Sequence, residues 1–453
     1  MKFCLTLATV LLGAISLEAS AQAQQPWLAD RKYGEGIGVR VGNLELHPGI
    51  SGELGYDSNY FLRSSEEDPL SAYRIRITPS ITLSTLGPQR TQGSTPPSKL
   101  TFRGGAYLAY NEIIATDSKY KSEFADQRHL DVGSDIFLNI MPVGRVGGDT
   151  YLNFVRQGQP SNNTDTQNAF DRDSFRAGAG VTWRPGGGLF DWRLGYEFLY
   201  NYFEKEGFSY LNNFQHQVNM RGRWRFLPRT ALLYDGNYTW VLYPNPGSQN
   251  DGTIARSRIG MNGLITNQLS LLALIGWAGT FYKQGTNAAP EQFDSLTAQA
   301  ELKWYISGGA EKTNDGSAPV GLSYASIGYT RDVSNSYLGN FYQKDRGYVG
   351  VSYMLGGAFV TSVTAGIANL AFPTSYFAGS DVVQQDAFSE QRVDASVFGE
   401  YRLSNTFGLN ATFNYDRNFT DVAIKTSATD PDAQRDYLAY QRWQVFLGAR
   451  WFL

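Results

Sequence analysis

The residues best placed to do chemistry in this chain are arginines, and they recur two apart. "RGRWR" puts Arg221, Arg223 and Arg225 on one side of an extended segment, and "YRIRITPSITLS" does the same with Arg74 and Arg76. A guanidinium is a fixed planar fork of donors that binds carboxylates, phosphates and hydroxyl-rich solutes. Rings of such groups set the selectivity of a water-filled path. The same period-two reading places Arg103, Arg176, Arg193, Arg256, Arg258, Arg402 and Arg450 on equivalent faces. Acids share those faces: Asp131, Asp135, Asp149, Glu197, Asp235, Glu301, Asp394, Glu400 and Asp416. The polar set therefore has two uses. It forms either a solute path, with Glu197 and Glu301 among its lining acids, or a self-neutralising ladder of arginines and acids that only solvates a wall. Tyr107, Phe137 and Tyr151 fall on the same side, where they stack on sugar rings or pack the wall.

Other chemistries find little support. The chain has 3 histidines. His216 falls on an apolar face, His47 precedes Pro48, and His129 opens a segment beside a polar stretch. No serine–histidine–acid set and no metal-ligand spacing assembles from these, so neither an enzyme, a cofactor nor a metal centre is expected. "SNNTD" and similar Asn/Asp stretches read as solvated loops, with loose calcium binding as the alternative. With 39 basic and 42 acidic residues the formal charge is −3, which offers no basic footprint for nucleic acid.

The elements that carry these residues are strands. In "YRIRITPSITLS", Tyr73, Ile75, Ile77, Ile81 and Leu83 alternate with Arg74, Arg76, Thr78, Ser80 and Thr82, the period-two signature. "FDWRLGYEFLYNYF" opposes Phe190, Trp192, Leu194, Tyr196 and Phe198 to Asp191, Arg193 and Glu197. Segments of this kind run from near Leu46 to Leu453 and number about 18, or roughly 24 residues per strand and connection. Connections alternate in length. Short ones are "MPVGR" (141–145), "RPGGG" (184–188), "LPR" (227–229), "NQ" (267–268), "LGG" (355–357) and "LSN" (403–405), and longer polar ones separate them. Two that should be short are long, 86–98 and 307–319.

The N-terminus reads as a secretory signal, residues 1–23: Lys2, then an apolar run to Leu17, then Ala-x-Ala sites. Removing it removes the one cysteine, Cys4, so no disulfide is expected. Residues 24–45 read as a periplasmic lead-in and 46–453 as the strand-rich domain. Aromatics make up 14% of the chain and gather at strand ends, with Trp183, Trp192, Trp224, Trp304 and Trp451 beside short turns. Tyr200, Tyr202, Tyr243 and Tyr282 lie beside long loops. Two belts of this kind match the two interfaces of a bilayer. A closed barrel also pairs every backbone group without water, as hydrocarbon requires. The fold class expected is all-β, a transmembrane antiparallel β-barrel of about 18 strands and outer-membrane type, with apolar faces toward lipid and arginines toward water. Pro79 inside a strand calls for a bulge or a shorter strand.

Two stretches carry a family resemblance. The ending "RWQVFLGARWFL" resembles the C-terminal strand of Gram-negative outer-membrane proteins, with Phe452 displaced from the usual last position. "LELHPGISGELGYDSNYFLR" (44–63) resembles the start of outer-membrane barrels of the β-barrel porin type through Tyr56, Asp57, Asn59 and Phe61. Such barrels often accompany exopolysaccharide secretion. The resemblance implies a Gram-negative outer-membrane location and export of an exopolysaccharide, with a periplasmic polysaccharide export protein as partner. The alternative expectation is a diffusion porin for small anionic or sugar solutes.

Overall fold

The computed structural model describes residues 38–86, 99–158, 171–245, 249–283, 290–307, 323–336, 338–356, 358–377, 380–425, 427–430 and 435–453. The expected signal peptide, most of the expected lead-in, "SNNTD" and most of the connections 86–98 and 307–319 lie outside these residues.

Alternation of β-branched and aromatic residues with small or polar ones yields eighteen long strands. The first six are β1 (Leu44–Asp57), β2 (Ala72–Thr85), β3 (Leu100–Ala115), β4 (His129–Ile140), β5 (Val146–Gln157) and β6 (Arg172–Trp183). Next come β7 (Phe190–Phe203), β8 (Asn213–Leu227), β9 (Thr230–Leu242), β10 (Gly252–Leu264), β11 (Leu269–Tyr282) and β12 (Asp294–Ser307). The last six are β13 (Ser323–Asn335), β14 (Phe341–Leu355), β15 (Phe359–Phe372), β16 (Phe388–Arg402), β17 (Phe407–Phe419) and β18 (Tyr440–Phe452). Each pairs antiparallel with the next, and β18 pairs with β1 from Phe452↔Gly49 to Gln444↔Asp57, closing the sheet. A three-residue strand, Val39–Val41, folds back on the start of β1. Closure leaves no sheet edge, so the wall's backbone satisfies itself.

Which face is outside follows from exposure. Ile50, Leu54, Ile77, Val181, Leu194, Ile259, Ile275, Ile327, Ile367 and Leu447 are all exposed large apolar side chains. An apolar wall of this extent in water would be a severe liability, whereas in lipid it is the driving surface. Among the described residues no helix is long and apolar enough to cross a membrane.

Three expectations are corrected here. Pro79 neither ends β2 nor bulges it. Pairing to β1 runs on through Ile50↔Pro79, while pairing to β3 skips from Ile77↔Tyr110 to Ser80↔Tyr107 at unchanged register. The missing donor is thus absorbed as a local gap in one ladder. Tyr282 does not join the outer aromatic belt. It shares parity with Ala278 and Thr280, faces inward, and is buried with Phe293, Val333 and Phe341. Tyr243 sits past the end of β9, its hydroxyl accepting from Asn335 Nδ2 at 2.9 Å. Trp183, Trp224, Trp304, Trp451 and Tyr202 are exposed on the lipid side as expected.

Candidate functional site

The site is the inner wall. Side chains that alternate with the outward apolar set point into the barrel, and all of the predicted arginines and acids lie there by parity. The structure sorts most of them into two populations.

One population flanks the seam between β18 and β1. Asp57 is fully buried and accepts from Arg442 Nε at 3.0 Å and Gln444 Nε2 at 2.7 Å, with Arg74 Nη1 at 3.6 Å. Arg76 lies 3.6 Å from Glu53, and its guanidinium sits 4.7 Å above the Phe446 ring. Arg450 donates to Glu400 at 2.6 Å, and Arg402 Nε donates to the same carboxylate at 3.1 Å. The motif residues carry this arrangement. Asn59 Nδ2 donates to the carbonyls of Arg63 and Gln441 at 2.7 and 3.1 Å, while Phe61 is buried against Tyr60 and Phe124. The element behind the family resemblance is therefore a clasp that locks the first strand to the last.

The second population is a ladder from β5 to β13. Arg193 donates to Asp149 at 2.6 and 2.9 Å and to Asn219 at 2.5 Å. Arg176 lies 3.7 Å from Glu197, which also accepts from Tyr151. Arg223 Nε donates to Asp191 at 2.8 Å. Asp235 lies between Arg221 at 3.8 Å and Arg258 at 2.6 Å. Asp332 bonds Arg256 across β11 and β12. It reaches over small inward side chains such as Ala278 and Thr297. Within the ladder Glu301 accepts from Tyr348 at 2.9 Å beside Lys303 at 3.2 Å, and outside it, on β3 and β4, Arg103 is 3.6 Å from Asp135. Arg225 continues the inward row of β8 toward its end. The wall is thus an alternating array of donors and acceptors, not a bare positive strip.

Parity could also have found Arg346, which donates to Asp394 at 2.7 Å, and the clasp's Arg442. Partners across strands could not be found so. Tyr107 and Tyr151 lie flat on the wall over glycines: a Cβ on Gly133 would stand 2.1 Å from Tyr107, and one on Gly178 2.3 Å from Tyr151. Both rings pack the wall.

The mouth opposite the short turns carries small apolar cores of its own. Tyr60, Phe61 and Leu70 of the first long loop pack on Phe124 of the second and on inward Ile113. Burial pushes the Tyr60 phenol up to about 12. Phe208 and Leu211 pack on Phe203. Asn250 and Asn340, from separate loops, exchange hydrogen bonds at 2.7 and 3.1 Å. Beside β7, the hydrogen bond from Arg156 holds the Glu204 carboxyl below its ordinary range, while burial raises Asp171. His216 faces lipid and meets the Tyr196 hydroxyl at 2.6 Å, His129 lies at the loop end of β4, and His47 lies near the opposite end. Among the described residues no group of three or more histidines, cysteines or acids could hold a metal.

A closed eighteen-strand wall, apolar outside and charged inside, defines a transmembrane β-barrel of the outer-membrane type. No family model and no curated protein matches the chain. Among solved structures it is similar to the FrpB iron transporter from Neisseria meningitidis, at 8% identity and a TM-score of 0.44, covering 90% of this chain and 81% of that one. It is also similar to the outer membrane protein opdK from Pseudomonas aeruginosa, at 11% identity and a TM-score of 0.43, with 90% and 98% covered. A bacterial polysaccharide outer membrane secretin is similar at 8% identity and a TM-score of 0.34, with 91% and 99% covered.

Proposed function

We propose that the barrel is a passive channel for small hydrophilic solutes, anionic or hydroxyl-rich, rather than an exporter of polymer. The observation that carries this is the ladder from Asp149 to Asp332, where guanidinium and carboxylate groups pair with one another along the wall from β5 to β13. Such a wall replaces a solute's hydration with paired donors and acceptors, and its slight excess of arginine favours anions. An eighteen-stranded barrel is wide enough to hold water as well as side chains.

The test is single-channel recording on the purified protein in planar bilayers. Steady conductance with mild anion preference is expected, and the preference should fall when Arg221, Arg223 and Arg225 become Gln. A barrel that never conducts refutes the channel. Conductance accompanied by loss of surface polymer in a deletion strain, with polymer synthesis intact, would restore export and its periplasmic export partner.

A further inference from the structure

At the loop end of the barrel, the outward charged groups are mostly paired with one another. Arg156 bonds Glu204, and Arg331 lies 3.6 Å from Asp345. Glu112 has Arg128 at 3.7 Å. Strands β15 to β18 depart from this. There the outward face carries Asn369, Gln391, Arg417 and Gln441 at the level where other strands show aromatic residues. Register puts Gln391 opposite Asn369 and Arg417 opposite Gln441. The Arg417 guanidinium lies 4.2 Å from the Phe419 ring centroid and meets no carboxylate among the described residues. The three carboxamide side chains make no hydrogen bond among them. Phe419 above and Trp443 below are both exposed, which sets the patch within the aromatic belt, at the depth of lipid headgroups.

We propose that this patch binds the phosphate of an anionic lipid headgroup in the adjoining leaflet. A guanidinium offers phosphate two parallel donors, and neighbouring carboxamides add N–H donors for the remaining oxygens. Stacking on Phe419 fixes the fork while leaving its outer edge toward the membrane. An unpaired cation at this depth is costly unless a headgroup meets it.

The test is native mass spectrometry of the intact barrel released from mixed micelles. The probes are phosphatidylglycerol, a galactosyl diacylglycerol without phosphate, and free inorganic phosphate. Phosphatidylglycerol should be retained by the wild type and lost about fivefold in Arg417→Gln, the scale of one basic residue at an anionic surface. Arg331→Gln, which removes a paired guanidinium, should retain it like wild type, and inorganic phosphate should not displace it. Should Arg417→Gln fail to fold, Gln391→Leu with Gln441→Leu gives the same reading with the arginine in place. Equal retention by the patch variants, or equal retention of the galactolipid, overturns the proposal. A dimer that Arg417→Gln dissociates also overturns it and assigns the patch to a second copy of the chain.

Discussion

Replacing Asp57 with Asn isolates what the clasp does. Asp57 accepts from Arg442 Nε at 3.0 and 3.1 Å to its two oxygens, from Gln444 Nε2 at 2.7 Å, and from the Asn59 backbone N–H at 3.2 Å. The carboxylate is fully buried, and the Arg442 and Arg74 side chains beside it are each only 13% exposed. Asn keeps the shape and one acceptor oxygen but removes the charge that Arg442 and Arg74 share, leaving Asp416 across the ladder as the carboxylate nearest Arg442. Breaking one side of a buried pair in this way costs about 3–5 kcal/mol. The assay is equilibrium unfolding of the refolded barrel in lipid, followed by tryptophan fluorescence. Arg442→Gln in the Asp57→Asn background should recover part of the loss, with a coupling of about 2 kcal/mol. Single-channel selectivity of Asp57→Asn should match wild type, because the clasp lies at the seam and not on the ladder. A loss below about 1 kcal/mol, within the range of an exposed pair, refutes the clasp.

Three further outcomes are expected. Changing Arg221, Arg223 and Arg225 to Gln leaves Asp191 and Asp235 under-compensated, so reversal potentials should shift toward cations, most at low salt where screening is weak. Tyr60 rises from its ordinary 10.0 to about 12 on burial, so its contribution is complete below pH 10 and is lost as pH climbs toward 12. Limited proteolysis should then cut the 58–71 loop between those values, and Tyr60→Phe should abolish that pH dependence. Pro79→Val restores a donor to the gap between β2 and β3 and should raise stability by about 1 kcal/mol in the same unfolding assay.

Most of the wall was legible from period two alone. Side-chain parity is a local property, so Arg74 and Arg76 could be set against Ile75 and Ile77 without knowing any neighbour. Parity also contained the correct place for Tyr282, two residues beyond Thr280, but the expectation of an aromatic belt overrode it. Pairing is different in kind. That Asp332 serves Arg256 depends on small side chains intervening on β11 and β12, a property of four strands in register. The loop cores were hidden because Tyr60, Phe61 and Phe124 follow no period; their burial comes from two loops meeting over inward Ile113.

Residues of one type on one face need not do one job. Arg450 is 4% exposed beside a Glu400 that is 1% exposed, whereas Arg176 and Arg221 keep 25% and 28% of their surface. A buried pair contributes little net stability because desolvation offsets the attraction, yet a mismatched partner there is strongly penalised. Such a penalty is useful where β18 must find β1, since a slip of one residue would turn every apolar side chain on the closing strand into the lumen. Arginines that keep water on one side have lost less hydration, so in the channel proposed above they are the ones a passing solute would reach. Arg74, Arg76 and Arg450 therefore belong to the seam, Arg402 keeps 31% of its surface beside it, and in the channel proposed above the solute path would run along Arg176, Arg193, Arg221 and Arg223.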